Sequence, residues 1–137
     1  GQYLPYERVM GLPRCSAALL GGCSSGALTP HGALAPSGHA LAYMHARCPG
    51  LVANLWDVTD GEIDKVWKAL IDHCCAGGSL LDGLLKARAA CKLPHLTGAA
   101  VIAYGVPLTF LPRSHVNQER VAEGTSKARK TTAKGKA

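Results

Sequence analysis

Cys23 is the residue with the clearest potential for chemistry, because a short apolar run leads into it and a small polar turn follows it. The run, residues 17–22, is bounded by polar positions, which is typical of a buried strand, and its closing Gly21-Gly22 pair permits a sharp exit. The cysteine is therefore expected at the carboxyl end of a strand, at the edge where open α/β sheets collect ligands. A thiol at that edge, followed by free backbone N–H groups, suits a nucleophile. The alternative is a small buried cysteine that serves only to fill space.

Carboxylates follow a second apolar run, residues 51–56, in the same way. Asp57 and Asp60 come soon after this run, and Asp64 lies one helical turn beyond Asp60. Because parallel strands joined by a crossover helix end at the same edge of the sheet, we expect these acids to lie beside the thiol. Together they would form a pocket for a cationic side chain of a substrate. The alternative for Asp60 and Glu62 is ordinary capping of a helix.

A cysteine nucleophile needs a base, and histidine is the usual one. No histidine is placed by the sequence at the end of a neighbouring strand, where a base would be held rigidly. We therefore expect all of them to be surface or helix residues. The six are His31, His39, His45, His73, His95 and His115.

The elements that would position these residues alternate between apolar runs and amphipathic runs. The predicted strands are 16–22, 51–56 and 98–105, and the predicted helices are 38–47, 61–75 and 80–91. Thr59 with Glu62, and Ser79 with Asp82, have the spacing of capping boxes. Residues 1–14 and 24–37 are expected to be irregular. This order predicts an α/β fold with a parallel sheet, flanked by helices and joined by right-handed crossovers. Three strands make a thin sheet, so we expect a partial domain.

Length and charge divide the chain into two parts. The 137 residues are 47% hydrophobic and 18% charged, which is the composition of one modest globular domain. No run of 18 apolar residues indicates a membrane span. Residues 113–137 hold seven Lys/Arg against two Asp/Glu, and most of the net charge of +6 is located there. We predict a domain over 1–112 and a basic, disordered tail over 113–137.

The cysteines give no sign of a metal site. No two of the six have C-x-x-C spacing, so a zinc ribbon is not expected, and a domain of this class is expected to keep its thiols reduced. We expect neither a metal nor a cofactor. The cysteines are Cys15, Cys23, Cys48, Cys74, Cys75 and Cys91.

Three stretches resemble the catalytic domain of separases, the caspase-like cysteine endopeptidases that open cohesin at anaphase. They are Leu20-Gly21-Gly22-Cys23-Ser24-Ser25-Gly26, then Ala53-Asn54-Leu55-Trp56-Asp57-Val58-Thr59-Asp60 with Ile63-Asp64, then Gly98-Ala99-Ala100-Val101-Ile102-Ala103-Tyr104-Gly105. The resemblance covers about residues 1–110 and implies a caspase-like fold.

The resemblance also implies roles for individual residues. Cys23 matches the nucleophile, and its backbone N–H matches one donor of the oxyanion hole. Asp64 matches the acid that receives the arginine before the cut bond, with Asp60 as second choice. The implied substrate is the kleisin subunit of cohesin, cut after arginine, and the implied inhibitor is securin. The implied locations are the cytoplasm and the nucleus.

One part of the family's pattern is missing. The resemblance places the catalytic histidine in a His-Gly motif upstream of Cys23, and this sequence opens on Gly1, which resembles the end of that motif. We therefore expect a fragment of a longer protein. The 137 residues alone should be nearly inert, because a thiol without a base stays mostly protonated at neutral pH.

Two other interpretations stay open. CHAT-type caspase-like proteases also place a cysteine after an apolar strand, although Thr59-Asp60 followed by Ile63-Asp64 favours separase. The other is a non-catalytic caspase-like scaffold whose basic tail makes weak contacts with nucleic acid.

Overall fold

The computed structural model of the chain describes residues 4–112. The helices are α1 (Tyr6–Met10), α2 (His39–His45), α3 (Asp60–Cys75) and α4 (Leu80–Arg88), with one π-helical turn at Pro94–Gly98. The strands are β1 (Ala18–Leu20), β2 (Thr29–His31), β3 (Leu34–Ser37), β4 (Gly50–Asn54) and β5 (Val101–Gly105). The basic tail, 113–137, lies outside the described residues, so its disorder, its contact with nucleic acid and the boundary after residue 112 stay predictions. No helix within 4–112 combines the length and apolar character needed to span a bilayer.

A three-stranded sheet in the order β1-β4-β5 forms the centre of the domain. Strand β1 pairs with β4 in parallel, with Ala18 opposite Leu51, so the predicted α/β fold and its parallel pair are confirmed. The prediction that the third strand is also parallel is wrong, because β5 runs antiparallel to β4 and starts opposite Asn54. The physical reason is the number of helices in the connection. A single helix returns the chain to the amino end of the strand that it left, so the next strand runs parallel. Two helices, α3 and α4, return the chain to the carboxyl end of β4, so β5 runs in the opposite direction.

The two segments expected to be irregular contain regular structure. Helix α1 occupies part of residues 1–14, and β2 and β3 form a separate antiparallel hairpin within 24–37. The hairpin turns at Gly32, whose φ of 62° lies in the left-handed region that glycine adopts freely. All of its strand residues are exposed except the half-buried Ser37. An apolar pattern therefore gives no signal for it, because none of its side chains enters the core.

The core lies on both faces of the sheet, and this explains the continuous apolar run of β4. All five β4 residues are buried. On one face Val52 packs with side chains of α3 and α4, including Leu70 and Leu84. On the other face Leu51 packs with Ala40 of α2. A strand covered on both sides has no polar face, so it reads as an uninterrupted apolar stretch.

The two predicted capping boxes have different outcomes. Ser79 caps α4 as predicted, since its hydroxyl accepts a hydrogen bond from the Asp82 N–H at 3.4 Å. Thr59 is the N-cap residue of α3, which begins near the predicted position, but its side chain makes no capping hydrogen bond, so the predicted capping box does not form. Glu62 instead accepts hydrogen bonds from Lys65 Nζ at 2.6 Å and from the Lys92 N–H at 2.8 Å, and the Lys65 contact is the main cause that lowers its carboxyl pKa.

Adjacent leucines of α4 provide a test of this core. Leu84 is 5% exposed and Leu85 is 65% exposed. We expect Leu84→Ala to lower the free energy of unfolding by about 2–5 kcal/mol, because it leaves a cavity in the core. Leu85→Ala removes the same atoms from the surface and should change it by less than about 0.5 kcal/mol. Urea unfolding followed by tryptophan fluorescence measures both, and equal effects would contradict this arrangement.

Candidate active site

Cys23 is exposed at the carboxyl end of β1, where the sequence predicted it, so the alternative of a buried, space-filling cysteine does not hold. Its Sγ lies 3.9 Å from the carbonyl oxygen of Val58, in the loop that follows β4. Within residues 4–112 the Cys23 N–H donates to no acceptor. The ends of β1 and β4 therefore place the thiol and the acid-bearing loop side by side.

Backbone and side-chain hydrogen bonds hold the turn after Cys23 against β4. The Ser25 hydroxyl donates to Leu20 O at 2.8 Å and accepts from the Asn54 N–H at 3.2 Å. The Gly26 N–H donates to Asn54 O at 2.8 Å. A Cβ at Gly26 would lie 2.9 Å from the Cβ of Ala53, so a glycine is required for this close approach. The turn is thus fixed to the strand that leads to the acids.

Asn54 is the residue that our sequence-based prediction missed. It is fully buried, and its Nδ2 donates to Gly21 O at 3.0 Å and Gly22 O at 3.2 Å. These are the two carbonyls that precede Cys23, so the amide orients the peptide leading into the thiol. The available signal was a lone polar side chain inside the apolar run 51–56, since buried polar groups are retained where they are hydrogen-bonded.

Of the three aspartates predicted to lie near Cys23, one accepts a side-chain hydrogen bond and the other two do not. Asp57 Oδ1 accepts a hydrogen bond from Ser24 Oγ at 2.6 Å, and Ser24 adopts a φ of 53°, which is uncommon for a residue other than glycine. Asp60 is the first residue of α3, and Asp64 lies in its next turn. Both are exposed, and within 4–112 neither forms a side-chain hydrogen bond or an ion pair. They are available to bind a cation.

A cavity of about 650 Å³ opens beside Cys23 and is lined also by His39 and Tyr43 of α2. His39 was predicted to be an ordinary helix residue, but it faces this cavity, with the Tyr6 ring edge-on at 6.3 Å between centroids. No histidine in the described part of the chain hydrogen-bonds to Cys23 Sγ. His31, for example, pairs with Ser37 Oγ at 2.7 Å. Over the same residues, no three metal-ligating side chains come together.

Known proteins share both this sequence and this fold. The family model for the separin protease domain matches residues 1–63. Separin from Emericella nidulans is 42% identical over 124 residues, and separin from Mus musculus is 41% identical over 112 residues, each across 80% of this chain. Across four fifths of its length the chain is related in sequence to the separins. It spans 6% and 5% of the lengths of those two separins, so it corresponds to a small part of each.

The solved structure of a separin relative has the same architecture. In the Saccharomyces cerevisiae separase–securin complex, separase matches 80% of this chain with a TM-score of 0.73 and 34% sequence identity, over 8% of its own length. The caspase-like α/β fold expected from the resemblance is therefore confirmed.

The role assigned to Asn54 leads to a prediction about stability. Asn54→Leu keeps a similar volume but removes the donors to the Gly21 and Gly22 carbonyls. We expect the free energy of unfolding to fall by about 1–3 kcal/mol, because the loss of partners at two carbonyls outweighs the removal of the one unpaired oxygen, Asn54 Oδ1. Ser24→Ala, which removes an exposed hydrogen bond in the same turn, should cost less than about 1 kcal/mol. Urea unfolding of both variants tests this, and a larger effect of Ser24→Ala would refute it.

Proposed function

We propose that this chain is part of the catalytic domain of a cysteine endopeptidase and that Cys23 is its nucleophile. One observation carries the proposal: an exposed thiol with an unengaged N–H stands at the end of β1, on a turn held by Asn54. A nucleophile must be accessible to substrate and fixed in orientation. Similarity to the separin protease domain and to separins supports the same assignment.

The proposed reaction begins when the Cys23 thiolate attacks the carbonyl carbon of the scissile peptide. The carbonyl oxygen becomes an oxyanion, for which the free Cys23 N–H supplies one hydrogen bond. Collapse of this intermediate breaks the C–N bond, protonates the leaving amine and leaves a thioester, which water hydrolyses.

The base is proposed to come from outside residues 4–112. Within that range no histidine hydrogen-bonds to Cys23 Sγ, and the separase resemblance assigns the base to a histidine upstream. We further propose that the 137 residues by themselves do not cleave peptides, because the thiol lacks a partner to take its proton. The small share of the known separins that this chain covers agrees with such a division.

Asp64 is proposed to receive the arginine that precedes the cut bond, with Asp60 contributing or substituting. Both carboxylates are exposed and unpaired in the described part of the chain, and they lie on the first turns of α3. The loop leading to that helix contacts Cys23 and Ser24 through Val58 and Asp57. A guanidinium bound there would make charge-assisted hydrogen bonds, which are stronger than neutral ones.

For the physiological role we propose cleavage of the kleisin subunit of cohesin after arginine, which releases sister chromatids at anaphase. Securin is proposed as the inhibitor, since the S. cerevisiae relative of this fold is a separase in complex with securin. This role places the protein in the cytoplasm and the nucleus.

The identity of the nucleophile can be tested with an arginine-bearing acyloxymethyl ketone applied to the complete protease domain. We expect covalent labelling at Cys23 and none in Cys23→Ser. Cys75 is another exposed free cysteine, so Cys75→Ser should label normally and serves as the matched control. Labelling that persists in Cys23→Ser would remove Cys23 from the mechanism and favour a non-catalytic scaffold.

The arginine pocket can be tested with two carboxylates of the same helix. Asp64→Asn should lower kcat/KM for cleavage after arginine by roughly 10- to 150-fold, the equivalent of losing a charge-assisted hydrogen bond. Asp72→Asn is the control, because Asp72 already pairs with Lys68, and it should change the rate by less than about twofold. If Asp60→Asn causes the loss and Asp64→Asn does not, the pocket belongs to Asp60.

A further inference from the structure

Two further cysteines lie at the opposite ends of the same two strands that carry the active-site loops. Cys15 precedes β1, and Cys48 precedes β4. Both thiols donate to one acceptor, the carbonyl oxygen of Ser16, at 3.2 Å from Cys15 Sγ and 3.0 Å from Cys48 Sγ. Cys48 Sγ also lies 3.2 Å from Gly50 O. The two sulfurs are therefore neighbours, although 32 residues separate them in sequence.

The strand register explains how the two cysteines meet. Ala18 is paired with Leu51 in the parallel ladder, and each cysteine lies three positions before its member of that pair. Both cysteines come before the first paired residues, at the same end of the two strands. Because their thiols share the Ser16 carbonyl oxygen at 3.2 and 3.0 Å, the two sulfurs can be no further apart than the sum of these distances. The S–S bond of a disulfide then needs a modest approach of the two side chains.

The surroundings give the two thiols different reactivity. Cys15 is half-buried and lines a cavity of about 520 Å³ with Arg14, Arg47 and Pro49. Neither arginine forms an ion pair within residues 4–112. Cys48 is buried and does not line this cavity. Its burial is the main cause that raises its pKa, and the neighbouring Cys15 adds to the rise. Reagents from solution therefore reach Cys15 first, in an electropositive depression suited to anions.

We propose that Cys15 and Cys48 form a redox-active dithiol that is oxidised by an anionic low-molecular-weight disulfide. Glutathione disulfide has this chemistry, since its carboxylates complement Arg14 and Arg47. The site lies at the edge of the sheet opposite Cys23 and is independent of the proposed peptidase activity.

The reaction takes place as two thiol–disulfide exchanges. The Cys15 thiolate attacks one sulfur of glutathione disulfide, the S–S bond of that disulfide breaks, and one glutathione thiolate leaves. The Cys48 thiolate then attacks Cys15 Sγ in the mixed disulfide and displaces the second glutathione. The protein dithiol loses two electrons, one glutathione disulfide gains them, and the two protein protons go to the released glutathione thiolates.

The test treats the full chain with glutathione disulfide, blocks the remaining thiols by alkylation and identifies the cross-linked peptides by mass spectrometry. We expect an intramolecular Cys15–Cys48 disulfide that dithiothreitol reverses. In Cys48→Ser, the second exchange is lost and Cys15 should keep a bound glutathione. In Cys15→Ser, Cys48 should stay unmodified. An unmodified Cys15 in Cys48→Ser, while the exposed Cys23 or Cys75 is modified, would overturn the proposal.

The role of the arginines needs a comparison of two oxidants. In the variant carrying both Arg14→Gln and Arg47→Gln, oxidation by glutathione disulfide should slow by about fivefold, whereas oxidation by uncharged hydroxyethyl disulfide should be unchanged. High salt should reduce the advantage of glutathione disulfide in the unaltered chain. Equal slowing with both oxidants would contradict anion recognition. The dithiol itself is tested separately, in the unaltered chain. A stable Cys15–glutathione adduct that forms there without the Cys15–Cys48 disulfide would contradict the proposed dithiol.

Discussion

The parallel pairing of β1 with β4 is the constraint on which the rest of the domain depends. Because both strands point the same way, the loop that carries Cys23 and the loop that carries Asp57 leave the sheet at the same end of the two strands. The hydrogen bonds between these loops depend on that pairing. Ser24 Oγ donates to Asp57, and the Ser25 hydroxyl donates to Leu20 O and accepts from the Asn54 N–H. An antiparallel pairing would have put the thiol and the acids at opposite ends of the sheet.

Asn54 illustrates what it costs to build a rigid site in an apolar layer. Its Nδ2 has two acceptors, but its Oδ1 is buried and accepts no hydrogen bond within residues 4–112. An unpaired buried polar atom typically costs on the order of 1–3 kcal/mol. An apolar residue would have avoided that cost and left the two glycine carbonyls without a partner. The fold therefore accepts one unpaired oxygen in order to pair the two carbonyls that decide the direction of the Cys23 turn.

Much of this architecture can be predicted from the sequence. Where the prediction failed, the failure has a physical cause. Residues 51–54 are predictable as a buried strand because both faces of β4 are covered. Cys23 was placed at a strand end because the glycines before it end the apolar run. The direction of β5 was not predictable from local pattern, since it depends on whether α3 and α4 return the chain to the amino end or to the carboxyl end of β4. Periodicity also does not encode contacts between residues that are distant in sequence. Three such features were therefore missed: the hydrogen bonds of Asn54, the position of His39 in the cavity and the proximity of Cys15 to Cys48.

The hairpin of β2 and β3 has a consequence for recognising related chains. It lies between the two halves of the site in sequence, yet its strand residues contribute nothing to the buried core. Insertions or deletions there would leave the ladder between β1 and β4, and everything attached to it, undisturbed. A search for distant relatives should therefore keep residues 20–26 and 53–60 as fixed motifs and allow the segment between them to vary in length.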